Sequence, residues 1–484
     1  MTFEQLRRQH PELIYQNYHY QLQDNSLVIE FEFMLKPDIK FQPQVVIRGI
    51  NHNRCQKIDK QPLDNWIFHL GLAEIPSYWK AACPPLITIK AGSLDKFQQD
   101  WWQDLLIKGL GEFFYQNQID FTQPDLVKFQ VSDTNPSLPA NSGLTYPHPY
   151  LVPVGGGKDS SLVLGLLDKN NFDYGCLHLT PQSPAAEKIA AISRCQQSII
   201  ANRSIDPQLL KLNEQGYLNG HTPFSSYLSF LSVLTAHLLG YRQILTGSEH
   251  SANQGNVNYL KQTINHQYSK SFTYEQKFRN YSRKYLQVKL DPGLNTNTKS
   301  GSDTDQTAAY SPQAEYLSVL RPLNELQIAA LFAQFDQYHP IFRSCNQNQQ
   351  QGSWCHHCPK CLFVFTSLFP FIEQEKLCSQ IFSSNLFEDE TLVETAVKLA
   401  DPKQCKPFEC VGTFQESTAA FYLSTKKYQT QSQPLPPVLA AVNQKVLADY
   451  TQAELEELTE SLLKTWHSEH HLPPQLTAIL KPEL

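Results

Sequence analysis

The sequence has little charge, and it lacks both a long apolar run and an internal repeat. Only 18% of its 484 residues are Asp, Glu, Lys or Arg, whereas about a quarter is usual. The net charge of −6 argues against a molecule that binds nucleic acid through its overall charge. The most apolar stretches, residues 227–241 and 361–372, are too polar or too short for a membrane helix of about 18 residues. The first residues have no apolar stretch behind their basic side chains, so we expect no signal peptide and a cytoplasmic protein.

Apolar material is nevertheless sufficient for one or more cores. Hydrophobic residues make up 41% of the chain and aromatic residues 11%, which excludes wholesale disorder. The length favours two to four domains. We predict three: an α+β domain over residues 1–140, a middle domain over 141–370 and a mainly helical region over 371–484. Eleven cysteines in a cytosolic chain indicate metal binding, catalysis or buried thiols rather than disulfides.

Strand and helix patterns alternate in the middle domain. Apolar runs and helically spaced segments follow one another at residues 150–154, 160–169, 174–179, 185–198, 226–239 and 243–246. This alternation predicts an α/β fold with a parallel sheet and crossover helices. Elsewhere the patterns predict strands at 26–35, 45–50 and 86–90, helices at 100–117 and 450–470, a linker at 134–149 and a polar segment at 295–311.

A glycine-rich turn separates the first strand of this alternation from its first helix. Glycines let the backbone approach an anion, and the helix that follows offers free N–H groups and a positive dipole end. The residues of this turn form a candidate phosphate-binding loop: Gly155, Gly156, Gly157, Lys158, Asp159, Ser160 and Ser161. The alternative is a strand-to-helix turn with no ligand.

The turn resembles the PP-loop of the N-type ATP pyrophosphatases, SGGxDS, with Gly155 where that motif has serine. The resemblance implies a HUP-like parallel sheet and an enzyme that splits ATP into AMP and pyrophosphate while it adenylates a substrate. It also implies that Lys158 and Asp159 take part in the chemistry, with Asp159 serving magnesium.

Four cysteines are spaced like metal ligands. Cys345 precedes a tight group of Cys355, Cys358 and Cys361, and four thiolates suit a closed tetrahedral zinc site. An iron–sulfur cluster and four unliganded cysteines are the alternatives. The C-x9-C-x2-C-x2-C spacing is similar to that of the zinc-binding 7-cyano-7-deazaguanine synthases, which are themselves PP-loop enzymes.

Positive charge is concentrated between residues 257 and 290. Seven lysines and arginines there face a single acid, Glu275. A local charge of +6 in a protein of −6 would attract an anionic ligand. The alternative is a basic helix face that only contacts water.

Several segments together resemble one family. They are VGGGKDS (154–160), GSEHSANQGN (247–256), NHQYSKSF (265–272), WCHHCPKCLFVF (354–365) and KPFECVGT (406–413). They are similar to the MurL family, the UDP-N-acetyl-α-D-muramoyl-L-alanyl-L-glutamate epimerases. The resemblance implies ATP-dependent inversion of the terminal L-Glu of a UDP-muramoyl dipeptide to D-Glu, with Mg²⁺, and no nucleic-acid or membrane partner is expected.

On the basis of this resemblance we hypothesise roles for individual residues. The substrate side would be lined by Ser251, Asn253, Asn256, His266, Gln267, Ser269 and Lys270. Arg321 would contact phosphate or cap a loop. The base that removes the α-proton would be Cys410, Glu409 or His266, and the alternative for Cys410 is a small buried hydrophobe.

Two other functions remain open on the sequence. One is a PP-loop enzyme that modifies tRNA or a deazapurine with ATP and carries a structural zinc. The other is a zinc module without enzymatic activity on a degenerate nucleotide-binding fold. The first predicts ATP turnover with tRNA, and the second predicts no ATP binding. The oligomeric state cannot be predicted.

Overall fold

The computed structural model describes residues 1–132, 141–142, 144–181, 184–290 and 313–481. The predicted polar segment 295–311 and most of the predicted linker 134–149 lie outside the described residues.

Strands occur from the amino-terminal part of the chain up to residue 318. They are β1 (Glu12–Gln23), β2 (Ser26–Leu35), β3 (Ile39–Phe41), β4 (Gln44–Arg48), β5 (Leu86–Ile89), β6 (Lys128–Val131), β7 (Asn141–Ser142), β8 (His148–Pro153), β9 (Tyr174–Thr180), β10 (Gln197–Ser204), β11 (Tyr241–Thr246), β12 (Val257–Tyr259), β13 (Gln262–Ile264), β14 (Lys289–Leu290) and β15 (Glu315–Ser318).

Helices occur throughout the chain, and from residue 371 to 481 the regular structure is entirely helical. They are α1 (Phe3–Gln9), α2 (His52–Cys55), α3 (Lys60–Trp79), α4 (Lys96–Gly109), α5 (Gly111–Gln116), α6 (Lys158–Lys169), α7 (Pro184–Ile192), α8 (Pro207–Glu214), α9 (Phe224–Leu239), α10 (Phe272–Tyr285), α11 (Glu325–Phe332), α12 (Pro359–Leu368), α13 (Gln374–Lys376), α14 (Val393–Ala400), α15 (Phe414–Thr430), α16 (Pro437–Lys445), α17 (Gln452–Lys464) and α18 (Pro474–Leu480).

One large mixed sheet runs through the molecule. Its strand order is β15-β11-β8-β9-β10-β4-β2-β1-β5-β6, with β3 beside β2. Strands β15 to β10 pair in parallel, as the alternation of strands and helices predicts. Antiparallel pairing of β10 with β4 then joins them to the amino-terminal strands. The boundaries near residues 140 and 370 stay predictions, and the sheet is continuous across the first.

Two groups of buried apolar side chains cover this sheet. One lies around the amino-terminal strands with α3, α4 and α9, and the other around β8, α6, α12 and the carboxy-terminal helices. Among the described residues, no helix has both the length and the apolar character that crossing a bilayer requires.

The predicted helix at 185–198 is wrong over its last six residues. Helix α7 ends at Ile192, and β10 begins at Gln197. The reason is tertiary: β10 lies between β9 and β4 and pairs with both, so the sheet overrides the helical spacing. The predicted helix at 100–117 is confirmed, with an interruption at Leu110 that separates α4 from α5.

Candidate functional site

The glycine turn connects the end of β8 to the start of α6. Gly156 has φ +85°, and a Cβ there would lie 2.8 Å from the backbone nitrogen of Ala186, so only glycine fits. A Cβ at Gly155 would meet no heavy atom within 4 Å. Helix α6 begins at Lys158 with Gly157 as its N-cap. The N–H of Lys158 donates to Ser344 Oγ at 3.2 Å, and the next N–H groups are those that a helix start leaves without a partner in the helix.

Lys158 points inward rather than towards a ligand. Its side chain is buried, and its Nζ donates to Asp159 and, at 2.7 Å, to Glu325 Oε2. Burial disfavours the ammonium, but the two carboxylates outweigh it and raise the Lys158 pKa. Ser160 and Ser161 donate their hydroxyls to the carbonyl of Gly157 at 3.2 and 2.9 Å. The phosphate-binding capacity of the turn therefore lies mainly in its backbone.

Three carboxylates converge beside the turn. Oxygen atoms of Asp159, Glu249 and Glu325 lie within 4.8 Å of one another. Burial, together with the other two acids, raises the pKa of Glu249 to about 7. Clustered carboxylate oxygens are the ligands that Mg²⁺ prefers, and a cation there would reduce the repulsion among the three acids.

Cys410 lies on the wall of the cavity that the turn opens into. The cavity has a volume of about 240 Å³ and is lined by Gly155, Asp159, Glu249, Lys270 and Cys410, among others. Lys270 Nζ donates to Cys410 Sγ at 3.3 Å. Burial would raise the pKa of Cys410, but the cations around it, Lys270 first, lower that pKa to about 5.

His266 links Cys410 to an acid of the amino-terminal region. It is hydrogen-bonded to Cys410, and its Nδ1 contacts Glu112 Oε2. Burial favours the neutral imidazole, but these two anions outweigh it and raise the His266 pKa to about 9. The ring of His221 lies 4.3 Å from that of His266, centroid to centroid.

Other predicted substrate-side residues hold the segments of the site together. Asn253 Oδ1 accepts from the backbone nitrogen of Phe272 at 2.7 Å, and Asn256 Oδ1 accepts from that of His266 at 2.9 Å. Ser251, Gln267 and Ser269 are buried. Of these five, only Asn253 lines a cavity of about 550 Å³, together with residues such as Lys108, Phe121, His250 and Phe272.

Arg321 uses its guanidinium within the protein. It pairs with Glu275 at 3.1 Å and donates to the carbonyls of Glu249 and Lys270 at 2.7 and 2.6 Å. These contacts match the loop-capping alternative, because they hold together two segments that line the 240 Å³ cavity.

Most of the paired charge in the basic segment is directed away from this cavity. Lys277 pairs with Asp104 at 2.7 Å, whereas Arg279 and Arg283 pair with Glu315 at 3.3 and 2.7 Å. Lys270 is the member of the segment that lines the cavity. The local charge of +6 therefore overstates the attraction of the site for an anion.

The Glu409 carboxylate caps the start of helix α12 and is not among the residues that line the 240 Å³ cavity. Its Oε2 accepts from the backbone nitrogen of Lys360 at 2.7 Å, in the first turn of α12. The carboxylate occupies the favoured end of a helix dipole. This contact gives Glu409 a structural role, whereas Cys410 lines the cavity.

The four cysteines form one cluster. The Sγ atoms of Cys345, Cys355, Cys358 and Cys361 lie within 4.8 Å of one another. Backbone N–H groups donate to three of them, including those of Asn348 to Cys345 at 3.3 Å and Cys361 to Cys358 at 3.4 Å. Convergent sulfurs with N–H donors fit thiolate ligands of a single ion.

Sequence reasoning missed Glu112, Glu249, Glu325 and Lys360. Glu249 lies inside the quoted GSEHSANQGN segment, and its position next to other polar residues could have indicated it. Glu112 and Glu325 come from distant helices and belong to no motif, so only the fold brings them to the site.

The comparisons with known proteins cover most of the chain. Two family models match: the MurL N-terminal domain over residues 4–291 and the MurL C-terminal domain over 341–457. A protein of Xanthomonas oryzae pv. oryzae, named UDP-N-acetyl-alpha-D-muramoyl-L-alanyl-L-glutamate epimerase, is 31% identical over 408 residues, which are 83% of this chain and 82% of that protein. A Micromonospora protein of the same name is 31% identical over 410 residues, covering 82% of this chain and 81% of its own length.

Proposed function

Because the chain belongs to the MurL family, we propose that it inverts the terminal L-Glu of UDP-N-acetylmuramoyl-L-Ala-L-Glu to D-Glu in peptidoglycan precursor synthesis. The family resemblance predicted from the sequence motifs is confirmed. In this proposal the enzyme is an isomerase that consumes ATP, forms an acyl-adenylate and releases AMP and pyrophosphate.

ATP phosphates bind at the glycine turn, and the fold around it is of the PP-loop type. The open side of Gly155 and the first turn of α6 support this assignment, because a helix start with exposed N–H groups stabilises phosphate. The lysine acts indirectly: Lys158 orients Asp159 and Glu325 instead of contacting phosphate.

A divalent cation is held by Asp159, Glu249 and Glu325, and a structural zinc by the four cysteines. Bound at the carboxylates, Mg²⁺ would screen the phosphate charges. The convergence of oxygens in one cluster and of sulfurs in the other supports this division, since hard cations select oxygen and zinc accepts thiolate.

Adenylation prepares the glutamyl α-carbon for proton exchange. Removing an α-proton next to a carboxylate would add a second negative charge to the same group. Conversion to an acyl-adenylate removes the first charge, so a positioned base can form an enolate. Reprotonation from the opposite face gives D-Glu, and hydrolysis of the activated acyl group makes the sequence irreversible.

The observation that carries this proposal is that Cys410 and the glycine turn line the same cavity. The reacting acyl group would then lie between the phosphates and a thiol already paired with Lys270 and His266. Of the three candidate bases, this favours Cys410, with the protonated His266 as its partner, over Glu409, whose carboxylate caps the start of α12.

The nucleotide-sugar occupies the 550 Å³ cavity. Its size lies in the range of sites that bind small molecules, and its lining combines Lys108 with the aromatic rings of Phe121 and Phe272. The two cavities lie close together, because the consecutive residues Lys270 and Ser271 line one cavity each; the dipeptide of the same substrate would extend towards Cys410.

The test is incubation with ATP and the L-Glu substrate, followed by acid hydrolysis and chiral analysis of the glutamate. We expect D-Glu together with AMP, and neither when ATP is omitted. An Asp159→Asn variant, which loses a phosphate-side carboxylate but keeps Cys410, should form little AMP. Recovery of L-Glu alone, or AMP formation with tRNA and not with the dipeptide substrate, would refute the proposal.

A further inference from the structure

Glu112 is an acid of the amino-terminal region that has no assigned role. It lies in the first turn of α5 and is buried. Both of its carboxylate oxygens are engaged: Oε1 accepts from Gln116 at 2.8 Å, and Oε2 contacts His266 Nδ1. Its orientation is therefore fixed by its own helix, and it presents one oxygen to the imidazole that reaches Cys410.

We propose that Glu112 is a positioning residue of the site, which keeps His266 protonated so that this imidazolium and Lys270 hold Cys410 as a thiolate. The inference deepens the proposed function and rests on it for the reaction that the thiolate serves. It gives the cavity beside the glycine turn a Cys–His–Glu relay whose acid comes from a different part of the chain.

The geometry has the form of an activated thiol. A nucleophile or base is within hydrogen-bonding reach of a histidine, and a carboxylate in turn orients that histidine. His266 is held between two anions, Cys410 and Glu112. Without Glu112, burial would favour the neutral imidazole, and the thiolate would lose one of its cations.

The remaining charged groups around the relay are few. Lys270 lies 3.3 Å from the sulfur, and Lys360 adds a further positive charge. Lys406 and Glu409 also interact electrostatically with Cys410. Burial lowers the pKa of Lys406 to about 8 and raises that of Glu409 to about 7.

On the other side of His266 lies His221, whose Nδ1 is 3.7 Å from Glu112 Oε2. Burial lowers the pKa of His221 to about 3. It is therefore neutral, and His266 is the imidazole that carries the positive charge.

The direction in which the Cys410 pKa shifts distinguishes a positioning role of Glu112 from a direct electrostatic effect of Glu112 on the sulfur. A carboxylate acting directly on a nearby thiolate repels it, so removing the carboxylate would lower the pKa of Cys410. A carboxylate acting through His266 does the opposite, because its removal discharges the imidazolium. The two roles therefore predict shifts in opposite directions when glutamate is replaced by glutamine.

The experiment measures alkylation of Cys410 by iodoacetamide as a function of pH in the full-length protein. Peptide mass analysis separates Cys410 from the other cysteines, and the rate reports the thiolate fraction. The wild type should show a midpoint near pH 5. Glu112→Gln should raise that midpoint by about one pH unit or more, a tenfold loss of thiolate in the acid range.

Asp120→Asn is the matched control. It makes the same carboxylate-to-amide change just beyond α5, at a residue whose carboxylate accepts from Thr122 instead of from the site. It should leave the midpoint unchanged. An unchanged or lowered midpoint in Glu112→Gln, or a wild-type midpoint at or above the ordinary value for a thiol, would overturn the proposal.

A second variant covers the outcome in which Glu112→Gln fails to fold. His266→Gln removes the imidazolium itself and should raise the midpoint at least as far; no rise would also overturn the proposal. The assay needs neither ATP nor substrate. Absence of D-Glu formation in a protein that shows these shifts would therefore count against the proposed function while leaving the relay in place.

Discussion

The four-cysteine cluster and Cys410 use the same side-chain type but have different surroundings. In the four-cysteine cluster, sulfur faces sulfur and backbone N–H groups, as in the 3.3 Å contact from Asn348 to Cys345. Cys410 instead faces the ammonium of Lys270 and the imidazole of His266. Backbone dipoles orient a thiolate without neutralising it, so four thiolates in the cluster would need a metal ion, whereas the Cys410 sulfur has the side-chain cations Lys270 and His266 beside it.

The comparison distinguishes two uses of a cysteine thiolate, metal binding and reaction at a cavity wall. Four converging thiolates repel one another until a metal binds, which makes the metal part of the folding free energy. A single thiolate paired with side-chain cations stays charged and remains available at a cavity wall. The predictions below test this separation, beginning with the largest expected effect.

Removing a cluster ligand should have the largest effect. Cys361 is completely buried, and Cys361→Ser leaves three thiolates that hold zinc poorly. We expect loss of the bound metal and a fall of more than about 4 kcal/mol in the free energy of unfolding, as is typical when a structural metal is lost. Elemental analysis and denaturant titration measure both; a variant that retains one zinc per chain would contradict the structural assignment.

Removing the Cys410 thiol should lower the rate of epimerisation without changing the zinc content. Cys410→Ala should lower the rate of D-Glu formation by about 10²- to 10⁴-fold, the contribution of a positioned acid–base group. Its zinc content should equal that of the wild type. Chiral analysis of the released glutamate provides the rate, and full epimerase activity would eliminate Cys410 as a functional residue.

Removing the cation beside Cys410 should shift a pH profile. The thiolate predominates above the Cys410 pKa of about 5, so activity should fall as pH decreases through that value. Lys270→Met removes the largest stabilising charge and raises that pKa, which moves the acid limb of kcat/KM to higher pH. A shift of one unit would lower activity near pH 5 by about fivefold.

Lys277→Met is the control for this shift, because Lys277 pairs with Asp104 and makes no contact with the sulfur. It should leave the acid limb in place. Equal displacement of the limb in both variants would mean that general charge, and not the contact with Cys410, sets the profile.

The smallest effect is expected at Cys405. This cysteine is exposed and lies outside both groups, although it is only five residues from Cys410. Cys405→Ser should change the free energy of unfolding by less than about 0.5 kcal/mol, with zinc content and epimerisation unchanged. A large loss of either would show that position in the segment matters more than the contacts of the sulfur.

Structural features whose sequence signal lies within one short segment could be predicted. The glycine turn, the cysteine spacing and helix α9 each depend on neighbouring residues, and the structure places strand, turn, helix and sulfur cluster accordingly. Helix α3 carried no such signal, because nearly all of its residues from Pro62 onward are buried and a helix buried on every side has no polar face to give it a period.

The site itself was predictable only in part. Lys270, His266 and Cys410 lie in quoted motifs, but their mutual contacts depend on folding, and Glu112 and Glu325 are brought in by α5 and α11. The basic segment illustrates the same limit. The local charge of +6 does not include Asp104 and Glu315, which neutralise part of it from other elements.

The antiparallel pairing of β10 with β4 has a consequence for handling fragments of this protein. A chain that began after residue 140 would leave β10 with unpaired N–H and C=O groups along one edge. Exposed edge strands associate with other chains, so such a fragment should aggregate rather than fold. Production of the part of the chain after residue 140 for crystallisation therefore requires the first four strands as well, supplied in the same polypeptide or co-expressed.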